Sequence, residues 1–168
     1  MRGRIKEDDS SVPSRDGPFA YSMRYREGGQ HPLVCRQPRE GGPETIMLDG
    51  DREAEGHPFF DLGGADHSPT HGPLAWGAYV KGSEYFTIRV RDLENGADLP
   101  DEVTQTSGGA VWLNDSSGFC YVELDENHRP VRAKRHLIGT PVEQDQVIYE
   151  EKDPGFFVKL GVTQSDAF

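Results

Sequence analysis

The 168-residue chain has no apolar run approaching the ~20 residues that a membrane-spanning helix needs. Its opening, "MRGRIKEDDSSVP", carries basic residues but lacks the apolar stretch of a signal peptide. Cysteine is scarce. Cys35 and Cys120 are the only two, and one pair so far apart is no framework for a small secreted fold. These absences favour two thiols in a reducing cytoplasm, with no membrane as partner. Basic residues are also in deficit: 18 Lys and Arg face 29 Asp and Glu, a formal charge of -11. Such a surface repels a phosphate backbone, so nucleic acid is not an expected partner, and most of the charge serves solubility. Hydrophobic residues make up only 34%, and no helical periodicity persists beyond two turns.

Glycine and proline, by contrast, are plentiful, at 20 and 12, and are scattered along the chain as punctuation. Eight Phe, six Tyr and two Trp supply enough large side chains for a packed interior. Together these features predict an all-β chain with many turns. Internal repetition narrows the class. "GPFAY" (Gly17–Tyr21) aligns with "GPLAW" (Gly72–Trp76), and "FCY" (Phe119–Tyr121) aligns with "LAW" (Leu74–Trp76). Each copy has a turn with Gly, a strand of large, small and large residues, a polar turn, and a second strand. In "FTIRVR", Phe86, Ile88 and Val90 fall on one face and Thr87, Arg89 and Arg91 on the other, the period of a strand with one buried face. Asn95-Gly96 is a hairpin signal. Before two of these pairs lies a strand rich in small residues, "FFDLGGADHS" (Phe59–Ser68) and "SGGAVWLND" (Ser107–Asp115), as expected where strands crowd near an axis. "DQVIYEE" (Asp145–Glu151) reads as a fourth strand.

Four antiparallel strands recurring at ~40–50 residues predict β-propeller blades. The expected fold is therefore all-β, a partial propeller with about three four-stranded blades and the first strand of a fourth. Residues 1–13 read as a linker entering the propeller and 14–168 as the propeller itself. The blades fall at about 5–51, 52–105 and 106–151, with a fourth starting at 153–168. "FFVKLGVTQSDAF" (Phe156–Phe168) repeats the opening of "FFDLGGADHS" and reads as that fourth blade's inner strand.

No catalytic constellation follows from the residue pattern. The histidines are His31, His57, His67, His71, His128 and His136. His67 and His71, with Asp61 and Asp66 near, have a spacing that would suit a metal on a helix, but "HSPTHG" reads as a turn that places them on no common face. There is no G-x-S-x-G elbow. Ser83 lies in a polar turn. Ser116 and Ser117 occupy "NDSSG", where turn chemistry accounts for the residue types. Glu150 and Glu151 are adjacent, so in a strand they face opposite ways. "LGGAD" and "SGGAV" lack the spacing and the following helix of a phosphate loop. The basic run "RPVRAKRH" (Arg129–His136) reads as an alternating strand with Arg and Lys toward solvent. The expectation is no catalytic, cofactor-binding or metal residue, and no cofactor.

The residues nonetheless resemble a known family. "GRIKEDDSSVPSRDGPFAYSMRYREGGQHPLVCRQ", "AEGHPFFDLGG" from Ala54, "GSEYFTIRVRDLENG" from Gly82, "DENHRPVRAKRHLIGT" from Asp125 and "VIYEEKDPGFFVKLGVTQS" from Val147 are similar to the propeller of the oligopeptidase B (protease II) branch of the prolyl oligopeptidase family of serine peptidases. The likeness runs in one register over nearly the whole chain. One turn departs from the family's Ser-Pro-Asp-Gly: here it is "SPTHG" (Ser68–Gly72), which puts that loop's shape in question. The resemblance implies a seven-bladed propeller capping an α/β-hydrolase domain and restricting access to short peptides, which the family's enzymes cleave after Lys or Arg. It places the Ser, Asp and His triad in the hydrolase domain, so no catalytic residue carries over. It also implies that this sequence is a piece cut at both ends. The expected partners are the catalytic domain, short peptides in the parent enzyme, and other copies of the chain through open blade edges.

Two other readings compete. A stand-alone propeller module would bind proteins without catalysis. An independent sugar- or lactone-cleaving propeller would need inner-strand carboxylates or metal ligands, for which only Asp61, Asp66 and Asp115 are available.

Overall fold

In the computed structural model, residues 10–80, 82 and 84–163 are described. The chain divides into two compact units, one up to Pro58 and one from Phe59 onward.

The first unit is one antiparallel sheet. β1 (Ser14–Asp16), β2 (Phe19–Tyr25), β3 (Pro32–Pro38) and β4 (Thr45–Asp49) pair in chain order. Gly17, at φ 52°, makes the tight turn between β1 and β2, a backbone region that glycine enters without a Cβ penalty. Leu33, Val34, Cys35, Met47 and Leu48 are buried along β3 and β4. A single helical turn, α1 (Gly50–Glu53), follows β4, with the Asp49 carboxylate accepting from the Arg52 N–H at 3.3 Å as its cap. The Asp51 carboxylate accepts from the Gln30 and His31 N–H groups at 3.0 and 2.9 Å, which fastens the β2–β3 turn.

The expected linker differs from the structure where it can be compared. Residues 1–9 lie outside the described residues, but Ser10 bridges to Arg24, and Ser11 N–H donates to Met23 O at 2.8 Å. The physical reason is an open strand edge. β1 covers β2 only from Phe19 to Tyr21, and Ser10–Ser11 pairs with the backbone groups that would otherwise stay bare.

The second unit is a seven-stranded antiparallel sheet in chain order. Its strands are β5 (Asp61–His67), β6 (Pro73–Tyr79), β7 (Phe86–Asp92), β8 (Asp98–Trp112), β9 (Gly118–Leu124), β10 (Pro130–Leu137) and β11 (Gln146–Glu150). β2, β6 and β9 are each the second strand of a four-strand repeat, as the aligned "FAY", "LAW" and "FCY" segments predict. In β7 the buried residues are Ile88 and Val90, in the expected alternation. The β7–β8 hairpin turns through Gly96 at φ 73°.

β8 is the shared element. Its first part pairs with β7 (Ile88 opposite Val103) and its second part with β9 (Val111 opposite Cys120). The outer strand of one repeat thus continues as the inner strand of the next. The crossover is held at Thr106, which is fully buried; its Oγ1 donates to Phe86 O at 3.0 Å and accepts from Gly108 N–H at 3.1 Å. Gln105 at φ 57° and Gly108 at φ 90° supply the bend. A core of Ala75, Ile88, Val90, Val103, Ala110, Phe119 and Tyr121 spans both repeats. Burying each of its larger side chains contributes about 1.5–3 kcal/mol, which is why the two repeats cohere.

The expected first strand of a fourth blade is not formed over the described residues 153–163, and Phe156 and Phe157 are exposed. Residues 164–168 lie outside the described residues. A strand is defined by its ladder, and no ladder partner is assigned to the segment of residues 153–163. Its main-chain anchor to the sheet is Val158 N–H to Pro130 O, at 3.0 Å.

Candidate functional site

The surface closest to a site is the meeting of β5 with the second part of β8. Glycine makes the approach close. A Cβ on Gly77 would lie 2.1 Å from Gly108 O, and one on Gly63 would lie 2.6 Å from the Phe86 ring. Two side-chain bonds fix the register: Trp112 Nε1–H donates to Asp66 O at 2.7 Å, and Asp66 Oδ2 accepts from Ala110 N–H at 3.2 Å. Beside this seam lies a cleft of about 750 Å³, with Gly63, Asp66, Ser107, Gly109, Ala110 and Val111 in one wall and residues 157–160 in another. Burial pushes the Asp66 carboxyl above its ordinary range, and the Ala110 N–H opposes the shift. The cleft has room for an extended chain, and Asp66, Ser107 and Lys159 are the polar side chains in its lining.

The residues singled out from the sequence are dispersed. Asp61 begins β5 and is exposed, whereas Asp66 is spent on the seam. Asp115 sits in the β8–β9 turn, where its Oδ1 accepts from Ser117 N–H at 3.0 Å and Ser117 Oγ–H at 2.6 Å. The hydroxyl hydrogen bond from Ser117 is the first of the contacts that hold the Asp115 carboxyl below its usual range. Ser116 Oγ accepts from Thr70 N–H at 3.2 Å. Ser83 lies outside the described residues. Glu150 pairs with Arg132, and Glu151 accepts from Tyr149 Oη at 2.7 Å. His31 is half-buried just before β3, His57 is in an exposed turn, and His128 is in the β9–β10 turn with its ring 4.2 Å from Tyr85. Cys35 and Cys120 are free thiols; burial pushes Cys35 up to about 11 and also raises Cys120.

Two expectations need correction. The "SPTHG" turn does bring His67 and His71 together, with their rings stacked at 5.4 Å. The hairpin closes with Ser68 N–H to Pro73 O at 2.9 Å, and His71 takes the left-handed position at φ 60°, so the two rings fall on one side. Proximity came from the hairpin, which a rule about helical spacing does not see. The basic run "RPVRAKRH" also differs from a solvent-facing stripe. Arg132 pairs with Glu123 and Glu150, and Lys134 pairs with Glu123, so acidic residues on both flanking strands neutralise it. Burial alone would raise the Glu123 carboxyl; the hydrogen bonds from Arg132 and Lys134 outweigh it and hold the group low.

The last residue of that run has a role that the sequence pattern does not assign. His136 is fully buried. Its Nδ1 lies 2.7 Å from Asp145 Oδ1, and its Nε2 lies 3.0 Å from Asp101 Oδ1. Tyr121 Oη–H donates to Asp145 Oδ2 at 2.8 Å, and Gly139 N–H donates to Asp101 Oδ1 at 2.5 Å. Along β10, Val131 and Ala133 are buried on one face, and His136 is buried on the other, the face it shares by strict alternation with Arg132 and Lys134. The group has an Asp–His pair like that of a hydrolase, but the hydroxyl beside it is the Tyr121 phenol on Asp145, and the His136, Asp101 and Asp145 side chains are closed to solvent.

Four-stranded antiparallel repeats, two of them joined through the shared β8, with glycine-rich first strands in the second unit, define a partial β-propeller. The family model for the prolyl oligopeptidase N-terminal β-propeller domain matches residues 1–168, and the chain belongs to that family. It is 32% identical to dipeptidyl aminopeptidase BI of Pseudoxanthomonas mexicana over 98% of its length, covering 25% of that protein. It is 28% identical to protease 2 of Moraxella lacunata over its whole length, covering 26% of that protein. Among solved structures, oligopeptidase B of Leishmania major superposes with a TM-score of 0.86 at 30% identity, over 91% of this chain and 22% of that one. Oligopeptidase B of Trypanosoma brucei gives 0.84 at 32% identity, over 94% and 22%. The chain therefore spans about a quarter of the length of these relatives.

Proposed function

We propose that this chain is part of the propeller of a cytoplasmic serine peptidase that cleaves short peptides after Lys or Arg, and that its work there is steric selection. The observation carrying this reading is the superposition on two oligopeptidase B structures at TM-scores of 0.84 and 0.86, in one register over nearly the whole chain. A wall of packed strands excludes a folded protein from a gap that an extended peptide passes. The cleft beside β5 and β8, with its small side chains, has room for such a peptide. A formal charge of -11 favours cationic substrates, since a surface of one sign concentrates ligands of the other.

Hydrolysis itself is assigned to a separate catalytic domain. The purified chain, assayed with a small Arg-containing amide, is expected to show no turnover. Turnover that survives repurification and tracks with the protein would overturn the reading. Restored to a complete enzyme, the propeller is expected to block cleavage of folded proteins while Lys- or Arg-containing peptides of a few residues are cut; equal cleavage of both would remove the gating role.

A further inference from the structure

We propose that Asp101, His136, Asp145 and Tyr121 form a proton-holding clasp that locks the outer strand of one propeller blade to the next blade. The four residues come from different elements. Asp101 lies on the first part of β8, Tyr121 on β9, His136 near the end of β10, and Asp145 just before β11. The clasp thus ties β8, while it still pairs with β7, to the far side of the following repeat.

The proton count follows from the contacts. Both imidazole nitrogens face a carboxylate oxygen, at 2.7 and 3.0 Å, and each contact needs one hydrogen between its heavy atoms. A neutral imidazole supplies only one. The Tyr121 hydroxyl hydrogen is already directed to Asp145 Oδ2, and the Gly139 N–H to Asp101 Oδ1. The Phe119 ring, 5.3 Å away between centroids, offers no proton. One further proton must therefore reside in the cluster. Each carboxylate already accepts from a neutral donor as well as from the ring, which is the behaviour of an ionised carboxylate, so the extra proton belongs on the imidazole. His136 is a buried imidazolium held between two carboxylates. Asp101 Oδ2 is buried with no hydrogen-bond partner among the described residues, so the ring contact and the Gly139 N–H are what hold that carboxylate.

The experiment uses the full chain labelled with ¹⁵N-histidine. Two-bond ¹H–¹⁵N correlation spectra at pH 7 are expected to show both ring nitrogens of His136 protonated. A His136 ring with one bare nitrogen at pH 7 would overturn the proposal. Asp101→Asn keeps the shape and the acceptor for Gly139 while removing the charge. It is expected to speed amide exchange at Gly139 and His136 at least tenfold and to leave the β2–β3 amides unchanged. Unchanged protection at Gly139 and His136 would show that no clasp exists there. The wild-type spectrum decides the matter even where the variant does not fold.

Discussion

The same two blades meet in two opposite ways. At the inner seam, β5 and its neighbour β6 approach the second part of β8 through glycines. Gly63, Gly64, Gly77 and Gly108 let backbones touch, and a single methyl on Gly77 would fall 2.1 Å from a carbonyl oxygen. At the outer seam, the first part of β8 joins the far end of β10 through charge that is completely buried, Asp101 to His136 to Asp145. One junction is specified by space and the other by complementarity. The first tolerates no added atom. The second tolerates no missing partner, because removing one member strands the others in a medium that cannot solvate them.

The contrast can be broken most severely at the outer seam. His136→Leu fills a similar volume but leaves two buried carboxylates unpaired, and is expected to lose about 3–5 kcal/mol of stability in denaturant titration. Gly77→Ala comes next. The added Cβ must displace the Gly108 backbone, and a loss of about 3 kcal/mol is expected by the same measurement. Among partly exposed charges the effects shrink. Glu123→Gln is expected to cost about 1 kcal/mol at pH 7. Because the folded protein holds that carboxyl low, its contribution is complete above the unfolded value of about 4.3 and disappears as pH falls through the folded value. Thermal melts of the two proteins should therefore converge in acid. Asp66→Asn has the opposite sign. Its carboxyl is held high by burial, so ionisation opposes folding as pH rises, and the amide should raise the melting point slightly at pH 7, by less than about 1 kcal/mol in stability. The smallest effect sharpens the comparison. Gly109→Ala, one residue from Gly108, meets no atom within 4 Å and is expected to stay within about 0.5 kcal/mol of the parent. A large loss there would mean that the inner seam depends on glycine flexibility and not on space.

The inner seam was legible in the sequence and the outer one was not. "LGGAD" and "SGGAV" announce crowded strands because small residues have few other uses in a sheet interior, and the alternation of Ile88 and Val90 gives the buried face directly. The continuity of β8 was hidden. The repeat sets a blade boundary between residues 105 and 106, and the Thr106 hydroxyl, bonded to Phe86 and Gly108, shows that the chain bends there without leaving the sheet. His136 was hidden twice. It falls on the same strand face as Arg132 and Lys134, which the sequence assigns to solvent, and its partners Asp145 and Asp101 are 9 and 35 residues away. Neither signal is local, so no pattern within "RPVRAKRH" could have disclosed it. The absent strand at 153–163 has the same origin: composition marks a segment able to pair, but pairing belongs to two segments at once.

Because β8 serves two repeats, its 15 residues form one hydrogen-bonded unit with strands on either side. Repeat proteins whose modules touch only through side chains can fray one module at a time. Here, opening either repeat strips half of a strand that the other needs. The segment from β5 to β11 is thus built to open as a single cooperative foldon, and its slowest-exchanging amides should cluster on both sides of Thr106 with one common opening free energy.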